Sequence, residues 1–116
     1  MLSANPNLDA VLSLTSVSTP AAFFALRGNR RLGKIKLLGC DQDGDMVQRV
    51  KAGMIDSVLA QNTYRMGYEA VKQIVRRLHD EKVPCRTDLP PIPITRENAA
   101  SAQVHKLIDM NWFAQK

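Results

Sequence analysis

Three carboxylates and two glycines crowd into seven residues at Gly39-Cys40-Asp41-Gln42-Asp43-Gly44-Asp45. Acids at alternate positions suggest a calcium loop, in which carboxylate oxygens surround a hard cation. The spacing argues against it. Counted from Asp41, such a loop needs glycine at its sixth position and glutamate at its twelfth, where this chain has Met46 and Ala52. The stretch Ile35-Lys36-Leu37-Leu38 runs into it, so a second use stands open: a strand end that presents one acid to a ligand. His79 and His105 lie far apart, neither has a partner at metal-site spacing, and His79 with Cys85 is a weak pair. Nothing matches a nucleophile elbow or a phosphate loop. No nucleophile, base and orienting group assemble anywhere, so no catalysis, cofactor or metal is expected.

The elements that would position these residues alternate between strand and helix signals, the pattern of a parallel α/β sheet. Asp9 to Leu14 is a short β-compatible run. Thr19 followed by Pro20 reads as a helix cap and first helical residue, for a helix that lasts to Gly28-Asn29. Lys34 to Gly39 reads as a buried strand. Asp45 is the expected cap of a short helix that Gly53 ends. Asp56 to Gln61 is a third strand candidate. The clearest helix spans 62–82, where Tyr64, Tyr68, Val71, Val75 and Leu78 repeat at helical spacing and Ala70 and Ile74 widen the stripe. The segment after it is rich in proline, and Pro90, Pro91 and Pro93 exclude a central strand there. A last helix is expected from Thr95 as cap, with Glu97 in its first turn, through Val104, Leu107 and Ile108.

Composition sets the frame. With 116 residues, 45% hydrophobic and 23% charged, the chain has the make-up of one soluble globular domain. No apolar run reaches the ~20 residues a membrane span needs, and the first residues lack the pattern of a secretory signal. The net charge is +5 and the pI about 9.6, which brings nucleic acid into consideration. The densest basic stretch, Arg27 to Lys36, reads as a solvated turn. Aromatic residues make up 5% of the chain and do not interleave with these bases, so no nucleic-acid partner is expected. Cys40 reads as a small buried residue and Cys85 as an exposed thiol; a bridge between them would need an oxidising compartment.

In open α/β sheets, ligands bind beyond the carboxyl ends of the strands. Thr15-Ser16, Cys40-Asp41-Gln42-Asp43 and Ala60-Gln61-Asn62 occupy that position here. Each offers polar groups able to hold hydroxyls, and each serves equally well as loop polar or helix cap.

Over residues 9–98 the chain resembles the C-terminal part of type I periplasmic sugar-binding proteins, the ribose-binding-like receptors of ABC transporters. In that family a strand ends in glycine, an aromatic and aspartate, and a short helix ending in glycine follows. A strand ending in Ala-Gln then leads into a helix with glycine near its start. Gly39-Cys40-Asp41, the helix to Gly53, Ala60-Gln61 and Gly67 fall in that order and spacing. The resemblance implies one incomplete lobe of a two-lobe fold, with an α/β/α sheet and residues 1–116 as a single domain. It implies that Asp41 accepts hydrogen bonds from sugar hydroxyls, and that Gln61, at a hinge, reaches the sugar. Asp43 and Asp45 become a turn residue and a helix cap.

Two departures stand out: Thr15-Ser16 replace a customary asparagine, and Cys40 replaces the aromatic. The match also covers well under half of such a receptor and lacks its N-terminal lobe, onto which the 62–82 helix packs in the family. The expected partners are a sugar, weakly held by this lobe alone, and a transporter permease in a full-length receptor, which would be periplasmic. Self-association through the Tyr64–Leu78 stripe is expected of the chain by itself. An effector domain of a lactose-repressor-type regulator shares the fold and is the alternative, but the residues after Gln61 follow the receptor form. A small enzyme or nucleic-acid-binding α/β protein is a third reading, motivated by charge alone.

Overall fold

The apolar runs and helical stripes above become eight elements in the structure, a computed structural model that describes residues 2–108. In chain order they are β1 (Ala10–Leu12), α1 (Ser18–Gly28), β2 (Lys36–Cys40), α2 (Gly44–Lys51), β3 (Ser57–Ala60), α3 (Thr63–Leu78), β4 (Ile92–Thr95) and α4 (Ala102–Ile108). The sheet order is β1-β2-β3-β4. β1, β2 and β3 run parallel, with Leu12 beside Leu38 and Cys40 beside Leu59, while β4 pairs antiparallel with β3. The α/β class holds, with a mostly parallel sheet and one antiparallel edge. Pro93 sits in that edge strand, opposite Leu59, where a residue without an N–H is tolerated.

Alternation along the strands separates two faces. Leu37, Val58, Ala60 and Ile94 are buried beneath Phe23 and Leu26 of α1 and Met46, Val47 and Val50 of α2, and Val104 of α4 joins the same core. Leu12, Leu38 and Leu59 point to the opposite face and are exposed. Helices thus cover one face of the sheet, and the other is open among the described residues.

The first helix begins differently from expectation. Thr19 lies inside α1, fully buried, and the turn opens at Thr15, whose hydroxyl accepts from the Ser18 N–H at 3.1 Å. Thr19 is drawn inward because Gly39 leaves room for it: a Cβ on Gly39 would lie 2.4 Å from the Thr19 methyl. Its hydroxyl meets the Cys40 carbonyl at 3.2 Å and accepts from the Cys40 N–H at 3.3 Å, tying α1 to the end of β2.

The cap of α2 is Asp43 rather than Asp45. Asp43 has the extended backbone a cap requires and accepts from the Met46 N–H at 2.7 Å. Asp45, in the first turn, pairs with Arg49 at 2.7 Å. Gly53, at φ +71°, closes the helix as expected.

Thr95 does not start the last helix. The Asn98 side chain accepts from the Thr95 N–H at 2.9 Å and donates to the Pro93 carbonyl at 2.8 Å, which pins a turn and delays α4 to Ala102. The Thr95 hydroxyl instead donates to Glu97, a bond that holds the Glu97 carboxyl below its ordinary value.

α3 is shorter than the expected 62–82 helix: it starts after the Asn62 cap and ends at Leu78. None of its residues is buried. Tyr64, Tyr68, Val71, Ile74, Val75 and Leu78 are all exposed, whereas Glu69, Gln73 and Arg76 are half-buried. The helix therefore turns a polar face inward and its apolar stripe outward. The radius of gyration, 17.8 Å, exceeds the about 13 Å of a compact domain this long.

Two substitutions check these contacts by urea denaturation. Gly39→Ala should destabilise the fold by about 1–3 kcal/mol through overpacking against Thr19, and adding Thr19→Ser should recover part of the loss. Asp43→Ala should cost about 1 kcal/mol as a lost cap, and Asp45→Ala only about 0.3–0.5 kcal/mol as a lost exposed helical ion pair.

Candidate functional site

Because β1, β2 and β3 are parallel and in register, their carboxyl ends open on one edge of the sheet. β2 stops there abruptly. The Asp41 N–H still donates to the Leu59 carbonyl at 3.0 Å, but Asp41 itself takes a left-handed backbone at φ +61°. Aspartate tolerates that region better than most residues. The turn directs its half-buried carboxylate along the edge instead of into the sheet.

Both carboxylate oxygens find donors from the neighbouring strand ends. Gln61 Nε2 donates to Asp41 Oδ1 at 2.8 Å, and the Ser16 backbone N–H donates to Oδ2 at 3.2 Å. Asp41, Gln61 and Ser16 thus meet in space, although 20 and 25 residues separate them from Asp41 along the chain. Thr15 does not join this group. Its hydroxyl accepts from the Ser18 N–H and lies 2.9 Å from the Ser18 hydroxyl, inside the turn that starts α1. Ser13 and Ser18, 2.6 Å apart through their hydroxyls, complete that turn.

One participant, Gln42, is placed at this edge from sequence only as part of the Cys40-Asp41-Gln42-Asp43 segment, with no role of its own. Gln42 Nε2 donates to the Gln61 carbonyl at 2.9 Å, and Gln42 Oε1 accepts from the Gln61 N–H at 3.0 Å. No periodicity or motif marks a pair 19 residues apart; the one available signal is a long primary amide directly after the strand-ending aspartate.

The arrangement can accept hydrogen bonds and return one. A carboxylate has lone pairs beyond the two used here, and the Gln61 amide keeps a second N–H and a carbonyl oxygen. Such a set suits polyhydroxylated ligands. The three acids of the opening stretch are spoken for separately, Asp43 by the α2 cap and Asp45 by Arg49. Among the described residues no group of three or more His, Cys, Asp or Glu could hold a metal ion. Cys40, half-buried, and Cys85, exposed, are both free thiols.

Beside this edge runs a groove of about 460 Å³ between the ends of β2 and β3, the inward face of α3 and the returning segment 87–91. Cys40, Leu59, Met66 and Pro91 give it an apolar lining, and Gln61 joins it to the Asp41 cluster. The Gln73 Oε1 lies buried among these residues without a hydrogen-bond donor.

A family profile described as a periplasmic binding protein domain matches residues 1–82. Among solved structures, similarity extends to an ABC transporter solute binding protein from Agrobacterium vitis bound with alpha-D-tagatopyranose. Its TM-score is 0.85 at 24% identity, over 92% of this chain and 36% of that one. A carbohydrate transporter solute binding protein from Agrobacterium radiobacter, in complex with D-arabinose, gives 0.81 at 28% identity, over 93% and 37%. A glucose-galactose binding protein from Geobacillus stearothermophilus gives 0.79 at 22% identity, over 84% and 35%. No curated protein sequence matches. The chain spans little more than a third of the length of these solved chains. The match over residues 1–82, together with the mostly parallel sheet and its shared strand-end edge, assigns the chain to the periplasmic binding protein domain family.

Proposed function

We propose that this chain is the sugar-recognising C-terminal lobe of an ABC-transporter solute-binding protein, acting by binding without catalysis. The observation that carries the reading is the Asp41 carboxylate, turned out of β2 and held by Gln61 and the Ser16 N–H at the common strand-end edge. Asp41 and Gln61 are the proposed sugar ligands. Ser16 contributes through its backbone, and Thr15 supports the loop from within the α1 turn. The solved structures bound to tagatose and arabinose support a sugar over another solute. They equally favour transport over the regulator alternative. In this reading the permease is the partner and the periplasm the place of action for the full-length receptor.

A second lobe is the proposed counterpart of the exposed α3 stripe and of the 62–82 segment as a whole. Six large apolar side chains at Tyr64, Tyr68, Val71, Ile74, Val75 and Leu78 form a continuous exposed face, well suited to association. Without that lobe, a sugar meets one wall of its cleft and loses a large part of its contacts.

Two measurements follow. In nuclear magnetic resonance titrations with D-arabinose, D-tagatose and D-fucose, the isolated chain should bind with a Kd in the millimolar range, about 4 kcal/mol. The shifts should centre on Ser16, Asp41 and Gln61, and Asp41→Ala should abolish them; micromolar affinity, or shifts that survive that substitution, would contradict the reading. In sedimentation velocity the chain should form dimers or larger species, and the double change Val71→Glu, Val75→Glu should return it to monomer. A monomeric parent chain would refute the association.

A further inference from the structure

We infer that Gln42 is a positioning residue that replaces the missing end of β2 and fixes Gln61 beside the Asp41 carboxylate. The inference takes its relevance to sugar binding from the reading above, but its geometry stands independently. The backbone ladder between β2 and β3 ends where the Asp41 N–H donates to the Leu59 carbonyl, because the left-handed turn at Asp41 carries the chain away from β3. Gln61 lies two residues further along and has lost its strand partner. The Gln42 side chain supplies it: Oε1 accepts from the Gln61 N–H at 3.0 Å and Nε2 donates to the Gln61 carbonyl at 2.9 Å.

A primary amide places one donor and one acceptor side by side, as a peptide group does. Glutamine is therefore suited to both bonds at once. Glutamate lacks the donor, and asparagine is one methylene shorter.

One consequence follows from the clamp. With its backbone held at both polar groups, Gln61 delivers Nε2 to 2.8 Å from Asp41 Oδ1, so the acceptor set is arranged before any ligand arrives.

The test is amide hydrogen exchange on the isotopically labelled chain, read residue by residue, for the parent and for Gln42→Ala, Gln42→Asn and Gln42→Glu. Gln42→Ala and Gln42→Asn should accelerate exchange of the Gln61 N–H by about tenfold, the loss of one hydrogen bond. The Val58 and Leu59 amides should be unchanged. Gln42→Glu, which keeps the acceptor, should restore protection of the Gln61 N–H. Equal exchange at Gln61 in parent and variants would overturn the inference, as would acceleration spread evenly over Val58, Leu59 and Gln61. A D-arabinose titration separates the two readings. A parent that gives no response refutes the sugar reading, while the exchange data still decide the clamp.

Discussion

The left-handed turn at Asp41 is the feature from which the rest of the edge follows. It ends β2 while the Asp41 N–H still reaches β3, and it swings the carboxylate to where the ends of β1 and β3 supply donors. Had the strand continued, its next side chain would have faced one side of the sheet or the other. Gln42 would then have paired through its backbone. Instead its side chain takes over the ladder, and three strand ends are bound into one polar cluster. The packing behind supports the position: Gly39 lets Thr19 approach, and the Thr19 hydroxyl holds both polar groups of the Cys40 backbone directly before the turn.

The second constraint acts on the opposite scale. α1 and α2 bury their apolar faces on one side of the sheet, whereas α3 buries no apolar face and shows its stripe to solvent. A helix that turned its stripe inward would bury several large side chains, each worth about 1.5–3 kcal/mol. The short tether after Gln61 and the returning proline-rich segment keep α3 beyond the strand ends, with Glu69 and Gln73 lining the groove. The apolar face is thus directed away from its own domain, which is the basis for proposing another lobe or another copy as its counterpart.

Much of this was legible in the sequence, and the parts that were not share a cause. Strands, helices and the strand-end location of Asp41 and Gln61 follow from apolar periodicity and from the order of the glycine-aspartate and alanine-glutamine motifs. The stripe on α3 was equally plain, but periodicity shows which side chains share a face and not the direction that face points. The caps were read two residues astray wherever two candidates lay close together. Asp43 and Asp45 both suit a helix start, and only the extended backbone at Asp43 decides between them. Thr19 before Pro20 looked like a cap until the space over Gly39 drew it inside. Thr15 was expected at the ligand edge, and its hydroxyl is taken by the α1 turn. Gln42 was placed at the strand-end edge, but its pairing with Gln61 was not legible, since that partner is fixed by tertiary register.

The central claim is that Asp41 is a ligand acceptor and not merely the end of a turn. The most direct measurement is a crystal structure of the chain grown at saturating D-arabinose. The account predicts sugar hydroxyls within hydrogen-bonding distance of the Asp41 carboxylate and of the Gln61 amide, with the Gln42–Gln61 pairing kept. Sugar bound elsewhere, with Asp41 still bonded only to Gln61 and Ser16, would contradict it.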